Sequence, residues 1–251
     1  MPETADFAPS FFEGPGGRIA FERIDGRGPG VVWLGGFRSD MTGAKASRLA
    51  GWARETGRAF LRFDYSGHGA SDGRFEDGAV SDWADDAAAI FDARTQGPQI
   101  LVGSSMGAWI ALLLALARPA RVRGFVLVAP APDFTERLYE SLSAEERAGL
   151  ERTGRVERPS PYAPAPDVFT RRLFDDGRRH LVLPRVHGLR QPSRILHGLK
   201  DEVVASRDVV RLAETLGSDD LVATFSGDGD HRLSAPKDLD RLVAAVEELA
   251  R

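Results

Sequence analysis

Residues 99–118 read QILVGSSMGAWIALLLALAR, and the reading of this stretch decides the fold. Residues 100–102 are an apolar run too short for a helix and rich in branched side chains; Gly103-Ser104-Ser105-Met106-Gly107 follows, and then an Ala/Leu-rich helical segment. The order is strand, sharp turn, helix. A Gly-x-Ser-x-Gly in that setting forms an elbow: the serine occupies a strained turn, and side chains at the flanking positions would strike neighbouring backbone. Ser105 is therefore the candidate nucleophile. The five-residue pattern also arises in Gly/Ser-rich loops, so its weight comes from its placement between a buried strand and a buried helix.

Upstream, residues 18–24 and 31–34 read as strands, and the turn formers at 25–30, Asp-Gly-Arg-Gly-Pro-Gly, predict a hairpin-like connection between them. A helix is expected from about Gly43 to Glu55, with Ala46, Leu49 and Ala53 at helical spacing and Gly57 ending it. A strand at 59–65 runs into the glycine-rich loop 66–73, SGHGASDG. Ser81 is placed to cap a helix that buries Trp83, Ala87, Ile90 and Phe91 and stops at Gly97-Pro98.

Downstream, a strand at 125–129 is stopped by Pro130-Ala131-Pro132. A strand at 194–197, a helix capped by Ser206, a strand at 221–225 and a helix at about 237–249 complete the chain. Strands without apolar/polar alternation, separated by helices, indicate a mostly parallel sheet covered on both faces, an α/β fold. Residues 133–190 break the rhythm. They hold an amphipathic helix around Leu138 and Leu142, the run Pro159-Ser160-Pro161-Tyr162-Ala163-Pro164-Ala165-Pro166 and a second helical piece around 168–174. The chain thus divides into a core at 1–132 and 191–251 and an inserted lid at 133–190, since a structureless stretch of that length is unusual in a compact domain.

The bulk properties narrow the function. With 251 residues, 42% of them hydrophobic, the chain can bury one substantial core. A formal net charge of -4 without a basic stripe gives no electrostatic support for a nucleic-acid partner. The absence of cysteine removes disulfides, cysteine-ligated zinc and a thiolate nucleophile together. The start, MPETADFAPSFFEGPGG, is acidic where a secretory signal is basic, and the longest apolar helix, residues 108–117, falls short of the roughly 20 residues a membrane span needs. A cytoplasmic protein without membrane insertion is expected.

A serine hydroxyl needs a base, and the base needs an acid to set its tautomer. In an open α/β sheet such groups lie on loops beyond the carboxyl ends of strands. Asp201 follows the penultimate strand and His231 the last one, so they are the candidate acid and base; Asp133, after the preceding strand, competes with Asp201. Of the other histidines, His180 and His187 lie in the insertion, His197 ends a strand and His68 precedes the elbow. Asp228 and Asp230 are expected to shape the histidine turn through side-chain to backbone bonds. The backbone N–H groups of Met106, after the nucleophile, and Phe37, after Gly35-Gly36, are the candidate oxyanion donors. Leu138, Tyr139, Leu142, Phe169 and Phe174 supply an apolar face that can line an acyl pocket or anchor the insertion.

These residues make the sequence resemble the α/β-hydrolase superfamily over essentially its whole length. The segments 36–41 (GFRSDM), 63–69 (FDYSGHG), 129–134 (APAPDF) and 228–234 (DGDHRLS) are similar to the ABHD branch of acyl-glucuronide esterases and palmitoyl-protein thioesterases and its bacterial relatives. Where many relatives have a histidine before the oxyanion-loop glycine, this chain has Gly35. The resemblance implies a serine hydrolase of acyl esters or thioesters, of small molecules or acylated proteins, with no cofactor and no metal. A receptor on a hydrolase scaffold, a cofactor-free perhydrolase and a C–C hydrolase share the same residues.

Overall fold

The computed structural model describes residues 8–160 and 165–251; the first seven residues and residues 161–164 of the proline-rich run lie outside the described residues. The chain opens with β1 (Ser10–Gly14) and β2 (Gly17–Ile24). β3 (Arg27–Leu34) leads into α1 (Ala44–Thr56), β4 (Arg58–Phe63) into α2 (Val80–Arg94), and β5 (Gln99–Ser104) into α3 (Met106–Ala117). After β6 (Val122–Val128) come α4 (Phe134–Glu140), α5 (Ala144–Thr153), β7 (Arg155–Arg158), β8 (Asp167–Thr170) and α6 (Arg171–Arg179). The chain closes with β9 (Ser193–Gly198), α7 (Ser206–Thr215), β10 (Leu221–Ser226) and α8 (Pro236–Leu249). Among the described residues eight strands form one sheet in the order β1, β2, β4, β3, β5, β6, β9, β10, parallel from β4 onward, while β7 and β8 form a separate antiparallel pair. This is the mostly parallel α/β-hydrolase architecture that the elbow implied.

The continuous apolar strands are explained by two cores, one on each face. Val32 and Leu34, Leu101, and Phe125 and Leu127 point into the core shared with Trp83, Ile90 and Phe91 of α2 and Trp109 of α3. Their neighbours Val31 and Trp33, Ile100 and Val102, and Val126 and Val128 point the other way, onto Leu49 and Trp52 of α1 and Leu242 and Val246 of α8. Successive side chains on a strand alternate faces, so only a strand buried on both faces is apolar at every position.

Several local expectations are corrected. β2 and β3 do not pair with each other: β4 lies between them, antiparallel to β2 and parallel to β3. Turn formers signal a reversal but do not choose the partner, and Arg27–Gly30 extends β3 across a bulge instead of making a tight loop. β1, which pairs along β2, was not foreseen because Phe11 and Phe12 form too short an apolar run. Ser81 is inside α2, whose cap is Ala79; the Ala79 N–H donates to Asp82 at 2.8 Å, and the Ser81 N–H and hydroxyl donate to Asp176 of α6 at 2.8 and 3.0 Å. The free N–H groups of a first helical turn donate to any well-placed carboxylate, here a distant one. Ala205, not Ser206, caps α7. In the insertion, Ser143 caps a second helix, α5, through a reciprocal pair of bonds with Glu146. The helical piece expected around 168–174 divides into β8 and α6 at Thr170, whose hydroxyl accepts the Leu173 N–H.

Candidate active site

Ser105 stands between β5 and α3 with φ 54° and ψ -117°, a conformation that costs a residue with a side chain of order 1–3 kcal/mol. The surroundings hold it there. Its N–H donates to the Val128 carbonyl at 2.9 Å, and its carbonyl accepts from Ala108 and Ala131 at 3.0 and 3.2 Å. Both elbow glycines are sterically required: a Cβ on Gly103 would lie 2.5 Å from the Gly107 carbonyl oxygen, and one on Gly107 would lie 2.1 Å from that of Leu34.

Two loops at the same end of the sheet bring the partners. The loop after β9 carries Asp201 and the loop after β10 carries His231. They are joined through backbone bonds from Leu199 N–H to Ser226 O at 2.8 Å and from Lys200 N–H to Gly229 O at 2.9 Å. His231 Nδ1 lies 2.8 Å from Asp201 Oδ2, and its Nε2 lies 3.0 Å from Ser105 Oγ. The carboxylate can only accept, so Nδ1 carries the proton and Nε2 presents its lone pair to the serine hydroxyl. The other Asp201 oxygen, Oδ1, accepts the N–H groups of Val203 and Val204, both at 2.8 Å. Burial opposes ionisation of Asp201, but the His231 ring and these two amides outweigh it and hold the carboxyl below its ordinary range. Asp230 shapes the histidine turn by accepting the Leu233 N–H at 2.9 Å, whereas Asp228 pairs with Lys237.

Asp133 is elsewhere. It is buried in a left-handed conformation and accepts the N–H groups of Val182 and Leu183 at 2.8 and 3.1 Å, tying the start of the insertion to its end. His197 was read only as a strand end. Its buried ring approaches the same carboxylate oxygen as His231, with Nδ1 3.6 Å from Asp201 Oδ2, beyond hydrogen-bond reach.

The oxyanion-loop candidates flank the nucleophile. Met106 is the first residue of α3, so its N–H has no acceptor within the helix. Gly36 abuts the elbow: a Cβ on it would lie 3.5 Å from Ser105 Cβ. Phe37, next in the chain, meets the rings of Phe75, Trp83, Phe134 and Phe169 at centroid distances of 4.7, 6.0, 5.7 and 5.4 Å. Of the five insertion residues singled out in the sequence, Phe169 stacks on Phe37 of this loop, while Leu142 is buried and Leu138 half-buried. Tyr139 packs within the insertion, edge-on to Phe174 and beneath the guanidinium groups of Arg147 and Arg178. Phe134, which also contacts Trp109 four residues past Ser105, was not singled out as a site residue, although it closes the APAPDF segment at 129–134.

Arg38 joins the same loop to β8. Its guanidinium donates to Pro166 O at 2.7 Å and Asp167 Oδ1 at 3.0 Å. Among the described residues no cluster of three or more His, Asp or Glu side chains could hold a metal ion, and no helix is long and apolar enough to cross a membrane.

Comparison with known proteins identifies relatives of the whole chain. The family described as "Serine aminopeptidase, S33" matches residues 31–156. Palmitoyl-protein thioesterase ABHD10, mitochondrial, from Mus musculus is 34% identical over 234 residues, spanning 92% of this chain and 78% of that protein; the Homo sapiens protein is 33% identical over 232 residues, spanning 92% and 76%. Among solved structures, a hydrolase from Agrobacterium vitis S4 superposes with a TM-score of 0.93 at 42% identity, covering 97% of this chain and 99% of that one. Alpha/beta hydrolase domain-containing protein 10 from mouse superposes with a TM-score of 0.89 at 32% identity, covering 97% and 98%.

Proposed function

The chain belongs to the α/β-hydrolase family of these relatives, and from that premise we propose that it is a serine hydrolase cleaving acyl esters or thioesters through an acyl-enzyme on Ser105. The observation that carries this reading is the continuous line from Ser105 Oγ through both His231 nitrogens to the buried Asp201 carboxyl. Ester and thioester substrates are favoured over peptides because the relatives that align along 92% of the chain are named as thioesterases.

In this mechanism His231 Nε2 takes the hydroxyl proton as Ser105 Oγ bonds to the acyl carbon, and Asp201 stabilises the resulting imidazolium. The N–H groups of Phe37 and Met106 receive the negative charge that develops on the carbonyl oxygen. Collapse breaks the bond to the leaving alcohol or thiol, which takes its proton from His231. A water then gives a proton to His231 and its oxygen to the acyl carbon, and the second collapse releases the acid and restores the serine hydroxyl. Turnover of a p-nitrophenyl ester and of an S-acyl thioester, together with labelling of Ser105 by a fluorophosphonate, tests the reading. An enzyme that neither turns over nor labels would instead be a receptor on this scaffold.

Residues 133–190 act as a lid in this proposal, with Phe169 and Phe134 on the side facing Phe37. If these rings line an acyl pocket, each buried methylene contributes up to about 0.8 kcal/mol, roughly a fourfold gain in kcat/KM per carbon until the cavity fills. The expected result is that kcat/KM for p-nitrophenyl acetate, butyrate, octanoate and palmitate rises beyond acetate to an optimum. A monotonic fall from acetate would mean that the rings only anchor the insertion.

The Arg38–Asp167 pair fastens this lid to the oxyanion loop, with both side chains partly exposed. Such pairs contribute about 1 kcal/mol or less. Asp167→Ala is therefore expected to lower Tm by no more than about 2–4 °C. It should also raise KM for octanoate more than for acetate, since only the longer acyl group reaches the lid. Equal changes in the two KM values would separate the pair from substrate binding.

A further inference from the structure

The glycine-rich loop after β4 carries His68, a buried histidine that the triad does not use. Its Nδ1 lies 3.2 Å from the Ser66 carbonyl oxygen and its Nε2 lies 3.3 Å from the Arg38 backbone nitrogen. A carbonyl only accepts and a backbone N–H only donates, so these two partners select one tautomer: Nδ1 protonated, Nε2 a bare lone pair receiving the Arg38 N–H. The rings of Tyr65, Phe75 and Trp83 pack edge-on around the imidazole at 5.5, 5.0 and 5.3 Å and fix its plane.

The bond falls where the backbone needs support. Arg38 has φ 55°, a left-handed conformation uncommon for a residue with a side chain. The Arg38 N–H belongs to the peptide unit that Phe37 shares with it. Anchoring that unit sets the rotation of the chain at Phe37. The turn is closed on the other side by Ser39, whose N–H and hydroxyl both donate to Gly36 O, at 3.1 and 2.8 Å. Asp64 joins the same two loops, accepting from Met41 N–H at 2.7 Å and Ala70 N–H at 3.0 Å. A charged ring would turn a second N–H toward the Arg38 N–H, and burial keeps His68 neutral by pulling its pKa down to about 4.

We propose that His68 is a positioning residue for the oxyanion loop: its neutral ring accepts the Arg38 N–H and thereby aims the Phe37 N–H at the oxygen that becomes negative during acyl transfer. The proposal rests on the reading of Phe37 as an oxyanion donor. It explains why the loop after β4 is built around a histidine whose hydrogen bonds go to Ser66 and Arg38, and it gives the SGHG segment a part in the chemistry.

The test compares His68→Phe, which keeps an aromatic ring but cannot accept, with His68→Gln, whose carbonyl oxygen can. Loss of a whole oxyanion donor lowers kcat by about 10²–10³, and a misaimed donor less, so His68→Phe is expected to lose about tenfold to a hundredfold in kcat for p-nitrophenyl butyrate with KM within about twofold. The Ki of a trifluoromethyl ketone, which forms the tetrahedral adduct, should rise by a similar factor. His68→Gln should recover most of both losses. The proposal is overturned if His68→Phe keeps kcat within about threefold, if the ketone Ki does not move with kcat, or if Gln and Phe are equally impaired. Should His68→Phe fail to fold, the ¹⁵N spectrum of the wild-type ring decides: protonated Nδ1 and bare Nε2 at neutral pH support the proposal, and the opposite tautomer overturns it. Wild-type turnover that is lost in Ser105→Ala keeps the hydrolase reading standing whichever way His68 falls, whereas wild-type protein without turnover ends that reading first.

Discussion

Ser105→Ala is expected to abolish acyl turnover, with a loss on the order of a millionfold in kcat, while the protein stays folded. The size follows from the geometry. Deleting Oγ removes the atom that His231 Nε2 contacts at 3.0 Å and leaves the imidazole with nothing to activate but water. The backbone should tolerate the change, because the left-handed turn is held by main-chain bonds from Ser105 to Val128, Ala108 and Ala131, none of which uses the hydroxyl. Steady-state kinetics on p-nitrophenyl butyrate with circular dichroism as a folding control measures it. Ser104→Ala, one residue earlier at the buried end of β5, should keep most of its turnover; the reverse ranking would move the nucleophile by one position.

The second large effect is expected at Asp201→Asn, a loss on the order of ten-thousandfold in kcat with the fold retained. The two amides at Val203 and Val204 keep an acceptor oxygen at Oδ1, which turns the new NH₂ group toward His231 Nδ1. A donor there requires Nδ1 to give up its proton. Nε2 then carries it and can no longer accept from Ser105. Asp133→Asn makes the informative contrast: Asp133 holds two backbone N–H groups and no histidine, so turnover should change by only a few-fold while stability falls by about 1–3 kcal/mol. Parallel kinetics and thermal melts of the two variants separate the roles. Stability without turnover lost at Asp201, or turnover lost at Asp133, would exchange the assignments.

The fold and the meeting of Ser105, His231 and Asp201 were legible because each rests on constraints that act within a few residues or follow from strand order. Gly103 and Gly107 must lack side chains for the elbow to form, and that requirement is visible in five letters. Asp201 and His231 were found by counting strands, which works because parallel strands all point their carboxyl ends at one edge. What stayed hidden depends on partners far apart in the chain. The insertion of β4 between β2 and β3, the Ser81–Asp176 bonds and the Arg38–His68 contact each join residues tens of positions apart, and local composition does not record such pairings. Asp133 shows the same limit. Its position after β6 is compatible with a catalytic acid, and only its distant partners at Val182 and Leu183 reveal a structural one.

That carboxylate has a consequence for how the protein can change over evolutionary time. Because Asp133 grips residues 182 and 183, the segment between them leaves and re-enters the body of the protein through one narrow neck, and β6 and β9 remain hydrogen-bonded neighbours whatever lies beyond it. Each doubling of a loop's length adds only about 0.6 kcal/mol to the entropy of closing it. In the function proposed above the segment is thus a cassette: its length can change without shifting the register of β6 against β9, and acyl preference can drift with it.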